Sequence, residues 1–263
     1  MPRTDLARVC CSAASSSGNR SRRHARESFV RIAVLTGGPA RGRCSAEHIG
    51  AKAASLAQMA TLGLLVPPAF VLPVELCAAI IRQDADCRKS LTAGLAEGIA
   101  FLESITDNRL GDHRRPMLLS VRSGAARSML GMLDTVLNVG CTMAAVRGLV
   151  RATGNPKFAW DCRRRFLESY GSVVLRIDAA SFDRQLRDFR AAERVSEEEA
   201  LDGEALERLA MGHRQFIEEA GSLPEDPVAQ LEAAARPCTS RGPANAYPPI
   251  WHSSTSNGCP VLL

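Results

Sequence analysis

Residues 118–138 read LLSVRSGAARSMLGMLDTVLN, in which an apolar strand runs directly into a segment of small residues. Residues 117–122 are the best strand candidate in the chain. The small residues from 123 to 131 allow backbone N–H groups to approach phosphate oxygens, and Arg122 and Arg127 carry planar guanidinium groups that bind such oxygens in pairs. The stretch therefore predicts a strand followed by a loop whose composition suits phosphate binding. On the residues alone, an ordinary loop with two solvated arginines is favoured over a phosphate-binding loop, because neither GxxxxGK[ST] nor GxGxxG occurs here.

The segment before this stretch predicts helices and a short buried strand. An amphipathic helix begins near Gly50 and ends at Gly63, which suits a C-terminal cap. Two prolines then prevent its continuation, and an apolar triplet after them indicates a short buried strand. The predicted elements are a helix over 50–63 with the apolar stripe Ile49, Ala53, Leu56, Met59, Ala60 and Leu62, a strand over 70–72, and helices over 74–82 and near 91–104.

Beyond Gly140 the apolar pattern is helical. Asn155 and Pro156 form an N-terminal cap with proline at the first helical position. Two more helices follow, the last from about 203 to 220. His213 lies on the apolar face of that last helix, and we interpret it as a core-edge histidine and not as a catalytic one. The apolar positions are Phe158, Cys162, Phe166 and Tyr170 in the first of these helices and Phe182, Leu186 and Phe189 in the second.

The two ends of the chain lack apolar periodicity. Residues 1–46 hold nine arginines against two acidic residues and carry +7, whereas the remaining residues sum to −2. We predict that this Ser/Arg-rich tail is disordered; it also fits an organelle transit peptide or a mis-assigned start. We predict that residues 236–263 are unstructured as well, because Ser, Pro, Asn and Gly dominate them. Since the positive charge is confined to the tail, it does not indicate nucleic-acid binding.

Composition excludes several other classes of protein. The chain of 263 residues holds nine cysteines but no CxxC pair and no histidine at metal-ligand spacing, so neither a disulfide framework nor a metal site is indicated. The longest apolar stretch, 62–72, is too short and too rich in proline to span a membrane. We therefore expect a cytoplasmic protein, with organelle import through the N-terminal segment as the alternative, and neither a membrane nor a nucleic acid as partner. The sequence does not indicate an oligomeric state.

Three ordered motifs resemble the pyruvate, phosphate dikinase family. Residues 120–138 closely resemble its signature SVRSGARxSMPGMMDTxLN. Residues 49–70 are similar to its LGGKGANLAEM and LGLPVPPGF motifs, and residues 155–171 are similar to its NPRFAYDSYRRFxxxYG motif. The resemblance covers residues 47–235. It implies a helix-rich α+β fold, a partial ATP-grasp nucleotide-binding domain.

Within this range, the resemblance implies a division into two parts. The N-terminal ATP-grasp region would comprise residues 47–111 and 203–235. A helical subdomain over about 112–202 would lie between them.

The resemblance also implies a site for ATP and Mg²⁺. Lys52 and Arg122 would contact the nucleotide phosphates, with Arg122 as the catalytic residue, and the loop over 128–135 would close over them. Without the resemblance, Lys52 is interpreted as a solvated lysine on an amphipathic helix, and Arg122 as an ion-pair partner of Asp134. No residue is assigned as a metal ligand. The further nucleotide-binding residues would be Ser128, Gly131, Met132, Asp134 and Thr135.

Several substitutions near the implied site depart from the family pattern. Ala51 and Ala53 replace glycines beside the lysine, Ser55 replaces an asparagine, and Leu130 replaces the loop proline. A methyl group costs about 1 kcal/mol or more where the backbone approaches phosphate or needs a positive φ. We therefore expect a weakened affinity for the nucleotide.

The resemblance leaves open whether the chain is an enzyme. The family converts ATP, phosphate and pyruvate to AMP, diphosphate and phosphoenolpyruvate, and this chain has no match to its acidic metal-binding segment, phosphohistidine domain or pyruvate-binding barrel. The family pattern stops at Arg236, which we interpret as a frameshift or as a natural short paralogue.

Three functional interpretations follow from the resemblance. The first is an ATP-binding dikinase fragment that is inactive alone, and the second is a non-catalytic nucleotide-binding or regulatory module. A water dikinase similar to phosphoenolpyruvate synthase fits less well, because Gly124 and residues 129–135 depart from that group's VRSSATAEDLPxASFAGQ pattern.

Overall fold

The computed structural model describes residues 30–32, 45–64, 66–73, 76, 79–80, 86–123, 135–236 and 261–262. This part of the chain is rich in helix, with short strands, which agrees with the predicted α+β class. The helices are α1 Ala46–Ile49, α2 Ala51–Thr61, α3 Cys87–Thr106, α4 Met143–Thr153, α5 Pro156–Val173, α6 Ala179–Glu193, α7 Gly203–Ala220 and α8 Pro227–Ala235, with a 3-10 turn at Glu198–Ala200. The strands are β1 Val30–Ile32, β2 Ala69–Leu72, β3 Arg109–Leu110, β4 Pro116–Met117, β5 Leu119–Ser123, β6 Thr135–Val139 and β7 Val261–Leu262.

Five of these strands form one sheet in the order β1-β2-β7-β5-β6. Every neighbouring pair in it is antiparallel. The short strands β3 and β4 pair separately and in parallel. Because β7 lies in the middle, residues from the end of the chain join the N-terminal strands to the β5–β6 pair.

Local sequence signals set the helix ends. Asn155 accepts a hydrogen bond from the Phe158 N–H at 3.0 Å, so the predicted cap of α5 is confirmed. Asp202 caps α7 in the same way, through the Ala205 N–H at 2.8 Å. Gly63 follows the end of α2 with φ 81, a conformation that favours glycine over other residues.

A large core runs through most of the described chain, with α5 at its centre. Phe166, Leu167 and Tyr170 of α5 are fully buried and share this core with Leu206 and Ile217 of α7. The core is continuous from β2 to α8. The boundary that we predicted between residues 202 and 203 therefore falls inside a single packed core.

Strand β2 separates this core from a smaller one. Phe70 and Leu72 point into the large core, where an added Cβ at Gly98 of α3 would lie only 2.4 Å from the Phe70 ring. Val71 points to the opposite face. There it packs in a second cluster that consists of Ile49, Ala53, Ala57, Ala60, Val66, Ala69 and Val71. This small cluster fixes α1 and α2 on one face of β2.

The structure corrects several predicted boundaries. The single strand over 117–122 is two strands, because β4 leaves the sheet to pair with β3 and β5 begins only at Leu119. Helix α3 begins at Cys87, four residues before the predicted start at 91. The helix predicted over 74–82 is described only at residues 76, 79 and 80, which are helical.

Short strands also occur in the two tails for which we predicted no structure. Strand β1 lies within residues 1–46, and β7 lies within 236–263. Residues 1–29, 33–44, 237–260 and 263 lie outside the described part of the chain, so disorder there stays a prediction.

Candidate functional site

Lys52 is the second residue of α2. Gly50, with φ 81, separates α1 from α2 and allows the chain to turn immediately before Lys52. No side chain caps the N-terminus of α2, and the positive end of the helix dipole lies in the turn that carries Lys52. This end of α2 is therefore a concentration of positive charge.

The substitution at Ala53 has a structural explanation. Ala53 is only 2% exposed and packs in the small cluster against β2. Its methyl group faces the core and not the Lys52 side chain. Of the two alanines that replace family glycines, only the half-buried Ala51 remains as a residue that could crowd a ligand.

Arg122 lies on β5, directly opposite Thr135 of β6. Its side chain is exposed. Residues 124–134 connect these two strands, so the phosphate-binding segment predicted from the sequence starts and ends at the Arg122–Thr135 pair. Of the predicted site residues, Ser128, Gly131, Met132 and Asp134 lie outside the described part of the chain.

Lys52 and Arg122 lie on the same side of the sheet. Arg122 and Val71 both pair with Leu262, so their side chains share one face, and α2 packs against Val71 on that face. Burial lowers the pKa of the Lys52 ammonium, and the charge of Arg122 lowers it further. This repulsion agrees with the placement of both cations on one face of the sheet. Among the described residues, no carboxylate forms an ion pair with either of them. Two neighbouring cations without an acidic partner are the arrangement that an anion would stabilise.

Strand β6 is held in place by α5. Between its pairings with β5, β6 contains one extra residue, since Val121 pairs with Val136 but Leu119 pairs with Val139. The bulge contains Asn138, whose φ of 53 suits asparagine better than most residues. The Asn138 side-chain amide donates to the Cys162 carbonyl at 3.1 Å, and the Leu137 N–H donates to the Ser169 hydroxyl at 3.0 Å.

A second polar cluster lies beside β6, on α5. Arg164 has a side chain only 5% exposed and donates to Asp161 and Glu168, each at 2.7 Å, and to Glu198. It borders an open cleft of about 410 Å³. The cleft is lined by Leu137, Arg164, Arg165, Glu168, Ser169, Ser172, Ala179, Phe182, Asp183 and Glu198.

His213 belongs to this cluster and is completely buried. Its Nδ1 atom lies 2.8 Å from Oε1 of Gln185 and its Nε2 atom lies 3.1 Å from Oε1 of Glu168, while its ring stands edge-on to Phe182. A histidine with no exposed surface cannot touch a substrate, so its interpretation as a core residue is confirmed. Sequence reasoning missed its bond to Glu168, although the Arg164–Glu168 spacing of four residues is a visible helix pair.

Opposing effects act on Glu168. Burial raises the pKa of its carboxyl group, but the hydrogen bond from His213 and the charge of Arg164 outweigh burial, so the pKa is lowered. Glu168 is therefore ionised at neutral pH and links α5 to α7. We therefore interpret this cluster as structural, and we take Lys52 with Arg122 as the candidate site.

The described residues contain no helix that is long and apolar enough to cross a membrane. They also contain no group of three or more His, Cys, Asp or Glu side chains that could hold a metal ion.

Comparison with known proteins places the chain beside one group of enzymes. It is 38% identical over 206 residues to the pyruvate, phosphate dikinase of Rhizobium meliloti, 41% identical over 192 residues to the chloroplastic pyruvate, phosphate dikinase 1 of rice (Oryza sativa), and 33% identical over 191 residues to the enzyme of Clostridium symbiosum. These matches cover 76%, 71% and 72% of this chain. They cover only 23%, 20% and 22% of the relatives, so the chain spans about a fifth of their length. No family model matches the chain.

Proposed function

We propose that this chain, which is homologous to one segment of the pyruvate, phosphate dikinases, binds the phosphate groups of ATP between Lys52 and Arg122. The proposal is supported by the placement of these two cations on one face of the sheet, from different elements and without an ion-pair partner among the described residues. The proposed fold is a partial ATP-grasp nucleotide-binding domain, with which the antiparallel sheet and its packed helices are compatible.

Each cation has a distinct part in binding. Lys52 is a point charge at the start of α2, where the helix dipole and unpaired N–H groups also favour an anion. Arg122 is a planar donor that can grip two phosphate oxygens at once. Thr135, opposite Arg122, adds a hydroxyl group at the base of the connecting loop. Ser128, Gly131, Met132 and Asp134 are proposed to complete the site from that loop.

Among the described residues, no three His, Cys, Asp or Glu side chains lie together in a way that could hold a metal ion. We propose that a Mg²⁺ ion reaches this site bound to the nucleotide phosphates, as it commonly does. Arg122 would stabilise charge on the phosphates, which is the role of a catalytic arginine in phosphoryl transfer. For these 263 residues we propose nucleotide binding and not the complete dikinase reaction, since they match about a fifth of the relatives.

Calorimetric titration with Mg-ATP tests this proposal. Lys52→Met and Arg122→Leu should each weaken binding by roughly 1.5 to 3 kcal/mol, the size of a charge-assisted hydrogen bond. Lys89→Met and Arg109→Leu are matched controls, because both residues are exposed and lie outside the proposed site. Unchanged circular dichroism must accompany each variant. Equal binding by the wild-type chain and both site variants would refute the assignment of these residues.

A further inference from the structure

Strand β7 is the hydrogen-bonded link between the two halves of the proposed site. Leu262 pairs with Val71 of β2 on one side and with Arg122 of β5 on the other. Val261 pairs with Leu72 and Ser123 in the same way. Among the described strands, no other strand pairs with both β2 and β5.

Each half carries one of the two cations. Strand β2 holds α2, and with it Lys52, through the small apolar cluster on its face. Strand β5 carries Arg122 itself, and β6 fixes β5 to α5. The relative position of Lys52 and Arg122 therefore depends on the spacing and register between β2 and β5.

We propose that Val261 and Leu262 are positioning residues, which hold Lys52 and Arg122 at the separation that a polyphosphate requires. This inference deepens the proposed function and rests on it. The two residues act through their backbone, because consecutive residues of an antiparallel strand direct their N–H and C=O groups to opposite neighbours. Although each residue stands opposite a residue of both strands, the backbone hydrogen bonds of one residue go to β2 and those of the other go to β5. Both residues are therefore needed for the link.

The link opposes a force that is present in the free protein. Lys52 and Arg122 repel each other, and no described carboxylate neutralises them. The large core includes Phe70 and Leu72 together with Leu119 and Val121, so we expect both halves to stay folded when β7 is removed. Without β7, the hydrogen bonds that set the spacing and register between β2 and β5 are lost. We expect repulsion then to move Lys52 and Arg122 apart.

The test compares the wild-type chain with a chain lacking residues 261–263 and with Val261→Pro, which removes a backbone N–H from the strand. Val261→Ile is the matched control, since it keeps the backbone and a β-branched side chain. The chain has three lysines, at 52, 89 and 157. Reductive methylation with ¹³C therefore gives a small set of NMR signals that can be assigned by substitution and followed against pH.

We expect Lys52 in both disrupted variants to titrate at a higher pH than in the wild-type chain, because Arg122 no longer lies beside it. Lys89 and Lys157 should titrate as before. We expect the dissociation constant for Mg-ATP to rise about tenfold, as it does when only a tenth of the molecules are competent to bind. Val261→Ile should match the wild-type chain in every measurement.

The two readouts separate this inference from the proposed function. If the wild-type chain binds no Mg-ATP but Lys52 titrates at a higher pH in the disrupted variants, the proposed function fails and the positioning role of β7 stands. If Lys52 titrates identically in all four chains, the positioning role is overturned whatever the chain binds. Amide exchange in α5 and α7 monitors folding, and the truncated chain serves as the test if Val261→Pro does not fold.

Discussion

At the scale of single residues, Glu168 is a partly buried carboxylate outside the proposed site that links two helices. Its carboxylate accepts hydrogen bonds from His213 and Arg164, which lie on different helices. The pKa of Glu168 is lower in the folded chain than in the unfolded chain, where it is near 4.3. Glu168 therefore stabilises the fold fully at a pH above the unfolded pKa, and this stabilisation is lost as the pH falls through the folded pKa.

Replacement of Glu168 tests this description. Glu168→Gln should lower the free energy of unfolding at pH 7 by about 1 to 3 kcal/mol, because Arg164 and His213 lose a charged partner. The loss should shrink as the pH is lowered toward 3. Urea denaturation at several pH values measures both effects, with Glu207→Gln, at an exposed position of α7, as the control. A loss of equal size at pH 7 and pH 3 would contradict the role of the carboxylate.

The buried cysteines lead to a second prediction at this scale. Burial raises the pKa of the Cys141 thiol to about 12 and that of Cys162 to about 11. Only the thiolate reacts readily with iodoacetamide. At pH 8 the folded chain should therefore leave both residues unmodified while the half-buried Cys87 reacts faster, and denaturant should remove the difference. Peptide mass spectrometry after timed labelling measures this; rapid labelling of Cys162 in the folded chain would contradict it.

At the scale of elements, the motif over residues 120–138 ends at Asn138, which lies in the bulge of β6. Asn138 occupies a left-handed conformation and also donates to α5. Asn138→Ala should therefore lower the free energy of unfolding by about 2 kcal/mol, from backbone strain and the lost hydrogen bond together. Asn138→Gly removes only the hydrogen bond and should cost about half as much. Urea denaturation distinguishes the two, and equal losses would show that the backbone conformation contributes nothing.

The sequence predicted most elements because their signals are local. The cap at Asn155 and the glycine after α2 act within one or two helical turns, and both are confirmed. Of the apolar repeat of α5, Cys162, Phe166 and Tyr170 are buried, but Phe158 at the first turn is 46% exposed. The break between β4 and β5 was not predicted, because it depends on pairing with β3. Strand β7 was missed for the same reason: Val261–Leu262 has no local pattern, and only its partners make it a strand.

At the scale of the whole molecule, the contacts that were missed join residues far apart in the chain. The bond between Glu168 and His213 spans α5 and α7, and the packing of these helices places both predicted parts in one core. Periodicity shows that each helix has an apolar face but not which face it meets. By contrast, the family motifs predicted that Lys52 and Arg122 share a site, and strand pairing puts Arg122 on the face of the sheet against which α2 packs; a shared site stays a prediction.

The titration of Lys52 by ¹³C NMR is the most direct test of the claim that Lys52 and Arg122 form one anion site. Arg122→Gln should raise the pH at which Lys52 titrates, since it removes the neighbouring charge that now lowers the pKa of the ammonium. Saturating Mg-ATP should raise it in the wild-type chain as well, because phosphate favours the charged form. The claim is contradicted if neither the substitution nor the nucleotide changes the titration of Lys52.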